Sequence, residues 1–428
     1  MRKAYVIAVV GSGGKTTLIQ HLAAQAREAG RKAAVMTTTH MGLPDQYSAV
    51  GKTVDEAISM MEQEGLVYYG RKAGESGKMA FPGEEAYELL CRRADLVLVE
   101  ADGSRRLPMK VPDWSREPVI PLNADAVMVV YGLSALGKPL KEVCQRWELS
   151  ETWLASEGSC LVTEPLAADF LIKGYLKAIP FRYPNVQLIT ILNQAEAGSR
   201  RAAGMRMKDM LEQKGWECRV MQLRKLKVAV IYMASGFGRR FGGNKLLEAS
   251  GVDGKPLFRH GLDLFLRLRE RMEREAGVET DVILVSQYPE ILAYGKSAGI
   301  QTIENPFAAE GITASIRLGT RAAKERAADY YLYSVADQPW LKEETLWRFL
   351  TSFLDRSLTE QKSIGCLAAK GRRGNPVIFH KKYGAELLAL QGDRGGSQIM
   401  KRYPEEVMEF PVNGKELMDI DCRDDMKK

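Results

Sequence analysis

Short unbroken apolar blocks alternate along this chain with longer stretches whose apolar positions recur every three or four residues. Tyr5–Val10, Lys32–Thr39, Asp95–Glu100, Ala126–Tyr131 and Leu188–Leu192 are of the first kind and read as buried strands, and the strand Glu217–Leu223 closes the first domain. Between them Leu18, Ile19, Leu22 and Ala26 keep helical spacing, as do Glu85, Leu89 and Leu90 and the stretch Arg201–Gln213. After the basic join Arg224-Lys225-Leu226-Lys227 the alternation restarts. Strands are predicted at Val228–Ile231, Asp281–Ser286, Gly299–Glu304 and Tyr330–Val335, with a long helix from Leu257 to about Glu275. Strands apolar on both faces and separated by helices predict the α/β class. The expected architecture is two tandem domains, 1–223 and 226–428, each a mostly parallel sheet wrapped by helices.

Two of these strands run straight into glycine loops. The first leads into Gly11-Ser12-Gly13-Gly14-Lys15-Thr16-Thr17, and the second into Ala234–Gly243, which holds four glycines together with Arg239 and Arg240 and is followed by Lys245. Glycine lets backbone N–H groups close on an anion with no Cβ in the way, and arginine or lysine just beyond adds charge for phosphate oxygens. In the first loop, Gly11, Gly13 and Gly14 supply the cradle, Lys15 neutralises β- and γ-phosphates, and the hydroxyl of Thr16, next to Thr17, reaches Mg²⁺. This loop is two residues shorter than G-x-x-x-x-G-K-[ST]. In the second, Ala234, Ser235, Gly236 and Gly238 bind phosphates through the backbone, with Arg240 and Lys245 as the cations.

Acids at strand ends complete the picture. Glu100 and Asp102, two apart, point together past a strand end, where an acid completing an Mg²⁺ shell belongs in a parallel sheet. Asp337 closes the strand Tyr330–Val335 and is the expected Mg²⁺ anchor of the second half. Two readings compete for Thr313 and Ser315: contacts to base or ribose, or a simple helix N-cap. Asp421 is either a second metal ligand or part of an acidic C-terminal turn, and Asn193-Gln194-Ala195-Glu196 reads as a loop.

Composition narrows the partners. With 428 residues, 45% hydrophobic and 27% charged, the chain has the make-up of a globular protein. The +7 formal charge, from 61 basic and 54 acidic side chains, is spread along the sequence. It favours small anionic substrates and, lacking a long basic tract, argues against nucleic acid. Six scattered cysteines without a C-x-x-C pair fit a reducing cytoplasm. No run of eighteen apolar residues predicts a membrane span, and Ala4–Val10 ends in a polar glycine loop, so it reads as a strand and not a leader.

The segment Ala234-Ser235-Gly236-x-Gly238-x-Arg240-Phe241-Gly242-x-x-Lys245 resembles the A-A-G-x-S-x-R-M/F-G-x-x-K signature of nucleotidyltransferases. Within them it is most similar to the molybdenum cofactor cytidylyltransferases (MocA-like). Ala336-Asp337-Gln338-Pro339, Gly374–Phe379, Gly392–Gly396 and Asp419-Ile420-Asp421 are similar to further segments of that family, while Ser235, Gly238 and Ser397 depart from its commonest residues. The resemblance implies a Rossmann-like domain that transfers CMP from Mg·CTP to the phosphate of a molybdopterin-type cofactor, with Asp337 on Mg²⁺ and Arg240 and Lys245 on the departing pyrophosphate. Gly11–Thr17, Thr37–Thr39, Val99–Ser104 with Lys110, and Glu117–Pro121 together resemble the selenium-dependent hydroxylase accessory family (YqeC-like) over roughly residues 1–222. That resemblance implies a P-loop domain binding ATP or GTP and serving a molybdenum hydroxylase apoenzyme. Three other outcomes compete: a transferase using GTP, one acting on a sugar or alditol phosphate, and a non-catalytic chaperone that delivers cofactor.

Overall fold

The structure is a computed structural model that describes residues 4–425, apart from 75–76, 104, 106, 155–156, 197, 238–240, 242, 250–253, 361, 393–394 and 424. The chain forms two compact units, Met1–Arg224 and Lys225–Lys428.

In the first unit the apolar blocks become strands β1 (Tyr5–Gly11), β2 (Ala33–Thr37), β3 (Leu66–Tyr68), β4 (Leu96–Glu100), β5 (Ala126–Gly132), β6 (Gln187–Asn193) and β7 (Cys218–Val220). They pair in the order β7-β6-β5-β1-β4-β2-β3, every pair parallel. A parallel sheet needs crossovers that cover both faces, which is why its strands are apolar throughout. Ile7 and Val9 of β1 pack with Leu18, Ile19 and Ala23 of α1 (Lys15–Glu28). Val6, pointing the other way, packs with Tyr87 and Leu90 of the helix Glu84–Arg93. Register sets the edge where chemistry can occur. Val9 lies opposite Glu100 and Gly11 opposite Val130, so the glycine loop after β1 and the acids after β4 emerge together.

The second unit contains β8 (Lys227–Ala234), β9 (Glu279–Ser286), β10 (Gln301–Glu304), β11 (Tyr330–Val335), β12 (Ile364–Ala369), β13 (Arg372–His380) and β14 (Val407–Pro411), ordered β10-β9-β8-β11-β13-β12-β14. β13 runs antiparallel to both its neighbours, and the other pairs are parallel. α2 (Ile312–Glu325) lies so close to the sheet that a Cβ on its Gly319 would stand 2.3 Å from Ile231 Cγ2. Among the described residues no helix is long and apolar enough to cross a membrane.

Several boundaries differ from those read in the sequence. β2 stops at Thr37, not Thr39, because the Thr37 hydroxyl bonds the Glu100 carbonyl (2.8 Å) and accepts the Thr39 N–H (3.0 Å), turning the chain. His40 then opens a short antiparallel pairing with Ala80 and is exposed. The strand expected at Glu217–Leu223 shortens to β7, and the helix expected from Arg201 begins at Gly198. The helix beginning at Leu257 is α-helical to Arg271 and ends in a π-turn, Met272–Ala276, before Gly277 at φ +64°. Introducing a methyl group at Gly319 should therefore overpack the α2–β8 contact. Gly319→Ala is expected to destabilise the second unit by about 1–3 kcal/mol in urea denaturation, and an unchanged midpoint would contradict that packing.

Candidate functional site

In the first glycine loop, Gly13 and Gly14 take φ of +86° and +125°, and a Cβ on Gly14 would stand 2.2 Å from Asn193 Nδ2. Only glycine fits such a backbone and such an approach. Gly14 is also the N-cap of α1 and offers no side chain to its first N–H groups, and the first turn carries no acid. The helix start is thus open to an anion. Asn193 is buried and braces the loop. It donates to Gly13 O (2.9 Å) and accepts the Leu223 N–H (3.2 Å), so both ends of its amide are occupied away from any base.

Lys15 Nζ stands 3.0 Å from Asp102 Oδ1 and donates to Gly11 O at 2.8 Å, with both side chains buried. Asp102 Oδ2 accepts the Gly11 N–H (3.0 Å) and lies 3.5 Å from Lys110 Nζ. Lys110, also buried, pairs in turn with Glu117 Oε2 at 2.6 Å, which Arg146 approaches at 3.4 Å. Burial works to raise the Glu117 carboxyl, yet the Lys110 hydrogen bond and the charges of Lys110 and Arg146 hold it below the usual range. Thr16 Oγ1 donates to Glu100 Oε2 at 2.9 Å. Burial pushes the Glu100 carboxyl up, although Lys15 and Thr16 counter it. Gly11, Gly13, Gly14, Lys15, Thr16, Glu100 and Asp102 thus meet at one sheet edge, Thr17 following in α1. Asp102 is committed to two ammonium groups and the loop backbone. Sequence reasoning missed Arg146 altogether, since nothing in its spacing from Glu117 marks the pair.

In the second unit Lys245 Nζ stands 2.8 Å from Asp337 Oδ2, 2.6 Å from Ile420 O and 3.9 Å from Asp421 Oδ1. Asp337 Oδ1 is covered and accepts no hydrogen bond among the described residues. Ile420 N–H donates to Asp337 O (2.9 Å), and Gln338 Nε2 donates to Asp419 Oδ1 (2.8 Å), so the C-terminal segment is tied against the strand end. Burial, followed by the charges of Asp337 and Asp421, raises the Asp419 carboxyl. A cleft of about 490 Å³ opens here, lined by Ser235, Gly236, Lys245, Ser315, Asp337 and Asp421 among others. α2 also begins at this cleft. Its N-cap is Gly311, without a side-chain cap or an acid in the first turn. Neither Thr313 nor Ser315 is therefore the N-cap. Thr313 Oγ1 donates to Gly392 O (2.6 Å), while Ser315 accepts from Asn305 Nδ2 (3.0 Å) and lines the cleft. Ala234 ends β8 and is buried; Gly238 and Arg240 lie outside the described residues. Among the described residues no three His, Cys, Asp or Glu side chains converge to hold a metal alone.

Comparison with known proteins agrees with two different halves. Residues 7–148 match the family model described as YqeC protein, and residues 230–407 match that of the MobA-like NTP transferase domain. The uncharacterized protein YqeC of Escherichia coli (strain K12) is 34% identical over 200 residues, which is 45% of this chain and 77% of that protein. Among solved structures, Rv0371c from Mycobacterium tuberculosis H37Rv is 22% identical, covering 47% of this chain and 96% of its own, with a TM-score of 0.37. A nucleotidyl transferase from Methanothermobacter thermautotroptrophicus is 20% identical over 47% of this chain and 94% of its own, with a TM-score of 0.37.

The shared counter-charge of Lys15 and Lys110 makes Asp102 a structural keystone. Asp102→Asn is expected to cost the first unit about 3–5 kcal/mol in urea denaturation, because it leaves the buried Lys15 ammonium without its paired carboxylate and takes from Lys110 one of its two. A loss below about 1 kcal/mol would contradict the geometry.

Proposed function

We propose, for a chain that belongs to the YqeC family and whose second half is a MobA-like NTP transferase domain, a role in molybdenum cofactor maturation. The chain is a nucleotidyltransferase. The reaction we assign to it is transfer of CMP from Mg·CTP to the terminal phosphate of a molybdopterin-type cofactor. The observation that supports this most is a second cavity, of about 720 Å³, adjoining the first. The two share Met233 and Ile312, and the second adds Tyr333, Phe379, Arg372, Arg373 and Lys401. Aromatic walls with two cations, Arg372 and Lys401, beside an Arg373 that Glu409 holds at 2.8 Å, suit a flat, anionic acceptor.

A phosphate oxygen of the acceptor attacks the α-phosphorus of CTP. The new P–O bond forms as the bond to the α–β bridging oxygen breaks, and pyrophosphate leaves with that electron pair. Attacking and leaving atoms are both phosphate oxygens, so no protein nucleophile is required, and the protein contributes alignment and charge. Backbone N–H groups of the Ala234–Gly238 loop hold the phosphates, while Arg240 and Lys245 balance the departing pyrophosphate. A divalent cation fits beside Asp337 on two counts: the orphaned Oδ1, and an ammonium already standing between Asp337 and Asp421. Asp337 and Asp421 would hold Mg²⁺, whose chemistry when bound is charge neutralisation on the phosphates. In the first unit Lys15, Thr16 and Glu100 would bind ATP or GTP with its Mg²⁺, while Asp102, expected from the sequence to share that metal, holds Lys15 and the loop in place. That unit would serve a selenium-dependent molybdenum hydroxylase apoenzyme in the cytoplasm, apart from nucleic acid and membrane.

Pyrophosphate release measured with molybdenum cofactor present and CTP, GTP or ATP in turn tests this reading. CTP is expected to be preferred by about tenfold or more. A preference for GTP would overturn the base assignment, and no release with any of them would leave a delivery chaperone. Asp337→Asn is expected to lower turnover by about 10²-fold or more with an unchanged circular dichroism spectrum. Wild-type turnover in that variant would remove Asp337 from the reaction.

A further inference from the structure

Three consecutive carbonyl groups at the start of the second glycine loop are each held by one side chain from the end of β9. Ser286 Oγ donates to Ala234 O at 2.7 Å, Gln287 Nε2 to Ser235 O at 2.7 Å, and the Tyr288 hydroxyl to Gly236 O at 2.8 Å. The set is closed on itself. Ser235 Oγ donates back to Val285 O (3.3 Å), and the Tyr288 N–H donates to Ser286 Oγ (3.1 Å). Register makes this arrangement available, since Ala234 pairs with Ser286 as the two parallel strands end together.

In a planar trans peptide unit the C=O and N–H point in opposite directions. Fixing the carbonyls of residues 234, 235 and 236 toward the β9 end therefore turns the N–H groups of Ser235, Gly236 and Phe237 the other way. Those three residues line the cleft that Lys245 and Asp337 also line, whereas Ser286, Gln287 and Tyr288 do not line it. Packing by the described residues beyond its chain neighbours does not fix this turn at Gly236: none of their heavy atoms lies within 4 Å of where its Cβ would be. Hydrogen bonds to the carbonyls are what remain to hold a backbone with glycine's freedom.

We propose that Ser286, Gln287 and Tyr288 are positioning residues for the nucleoside triphosphate, presetting a row of backbone N–H donors before the ligand arrives. The inference rests on reading this cleft as the nucleotide site. With the anchors in place, the turn does not have to be ordered at the expense of binding. Removing one anchor leaves the cleft's own side chains intact but lets its backbone donors wander. The loss should fall on nucleotide affinity and not on the acceptor.

The test is calorimetric titration of the full chain with CTP and Mg²⁺, alongside the KM for molybdenum cofactor. Tyr288→Phe and Gln287→Met are each expected to weaken CTP binding by about fivefold to tenfold, the cost of re-ordering about one freed backbone residue when the ligand binds. The acceptor KM and the circular dichroism spectrum should stay unchanged. CTP affinity within twofold of wild type in both variants would overturn the inference alone, as would equal losses for CTP and acceptor, which mark a merely structural role. No CTP uptake by the unsubstituted chain would overturn the functional reading itself, and this inference with it.

Discussion

Each half of the chain is organised around one ion pair between a glycine-loop lysine and an aspartate from the end of an adjacent strand. Lys15 meets Asp102 at 3.0 Å, and Lys245 meets Asp337 at 2.8 Å. An ammonium taken out of water is costly unless a counter-charge and hydrogen bonds accompany it. In the first unit both carboxylate oxygens face the loop or its lysine: Lys15 stands 3.0 Å from Asp102 Oδ1 and donates to Gly11 O, and the Gly11 N–H donates to Asp102 Oδ2, so lysine, loop and acid lock one another. In the second the lock is partial. Ile420 O takes one ammonium donor, while Asp337 Oδ1 accepts no hydrogen bond among the described residues. The first pair explains a loop shape; the second marks a place where cation chemistry is still open.

The sheets exist to bring those pairs together. Parallel neighbours end on the same edge, so β1 with β4, and β8 with β11, deliver lysine and aspartate without any long-range search. Because the strands are buried on both faces, polar groups concentrate where the strands stop. Both helices that start at these edges, α1 and α2, have glycine N-caps and no acid in the first turn. Two fields favouring anions, lysine charge and open helix N–H groups, therefore coincide at each edge.

Much of this was legible in the sequence because it is local. Apolar blocks, glycine loops and acids at strand ends are read from neighbouring residues, and β11 spans Tyr330–Val335 as the pattern predicts. What local patterns do not carry is who meets whom across the fold. The spacing of Glu100 and Asp102 suggests two acids facing a metal, but the approach of Lys110 turns Asp102 toward ammonium groups. Thr313 and Ser315 look alike on a helix start, yet Gly392 claims the first and leaves the second at the cleft. Asn193 and the segment Ser286–Tyr288 act through backbone carbonyls, which leave no trace in residue type. Strand ends slip for the same reason: the Thr37 hydroxyl stops β2 by bonding a carbonyl sixty-three residues away.

The central claim is that two independent triphosphate cradles coexist in one chain. Its most direct test is calorimetry with Mg·ATP and Mg·CTP titrated singly and then each in the presence of the other. Two sites per chain are predicted, with saturation of one nucleotide leaving a full site for the other. Mutual displacement at a single site, or no uptake of either nucleotide, would contradict the account.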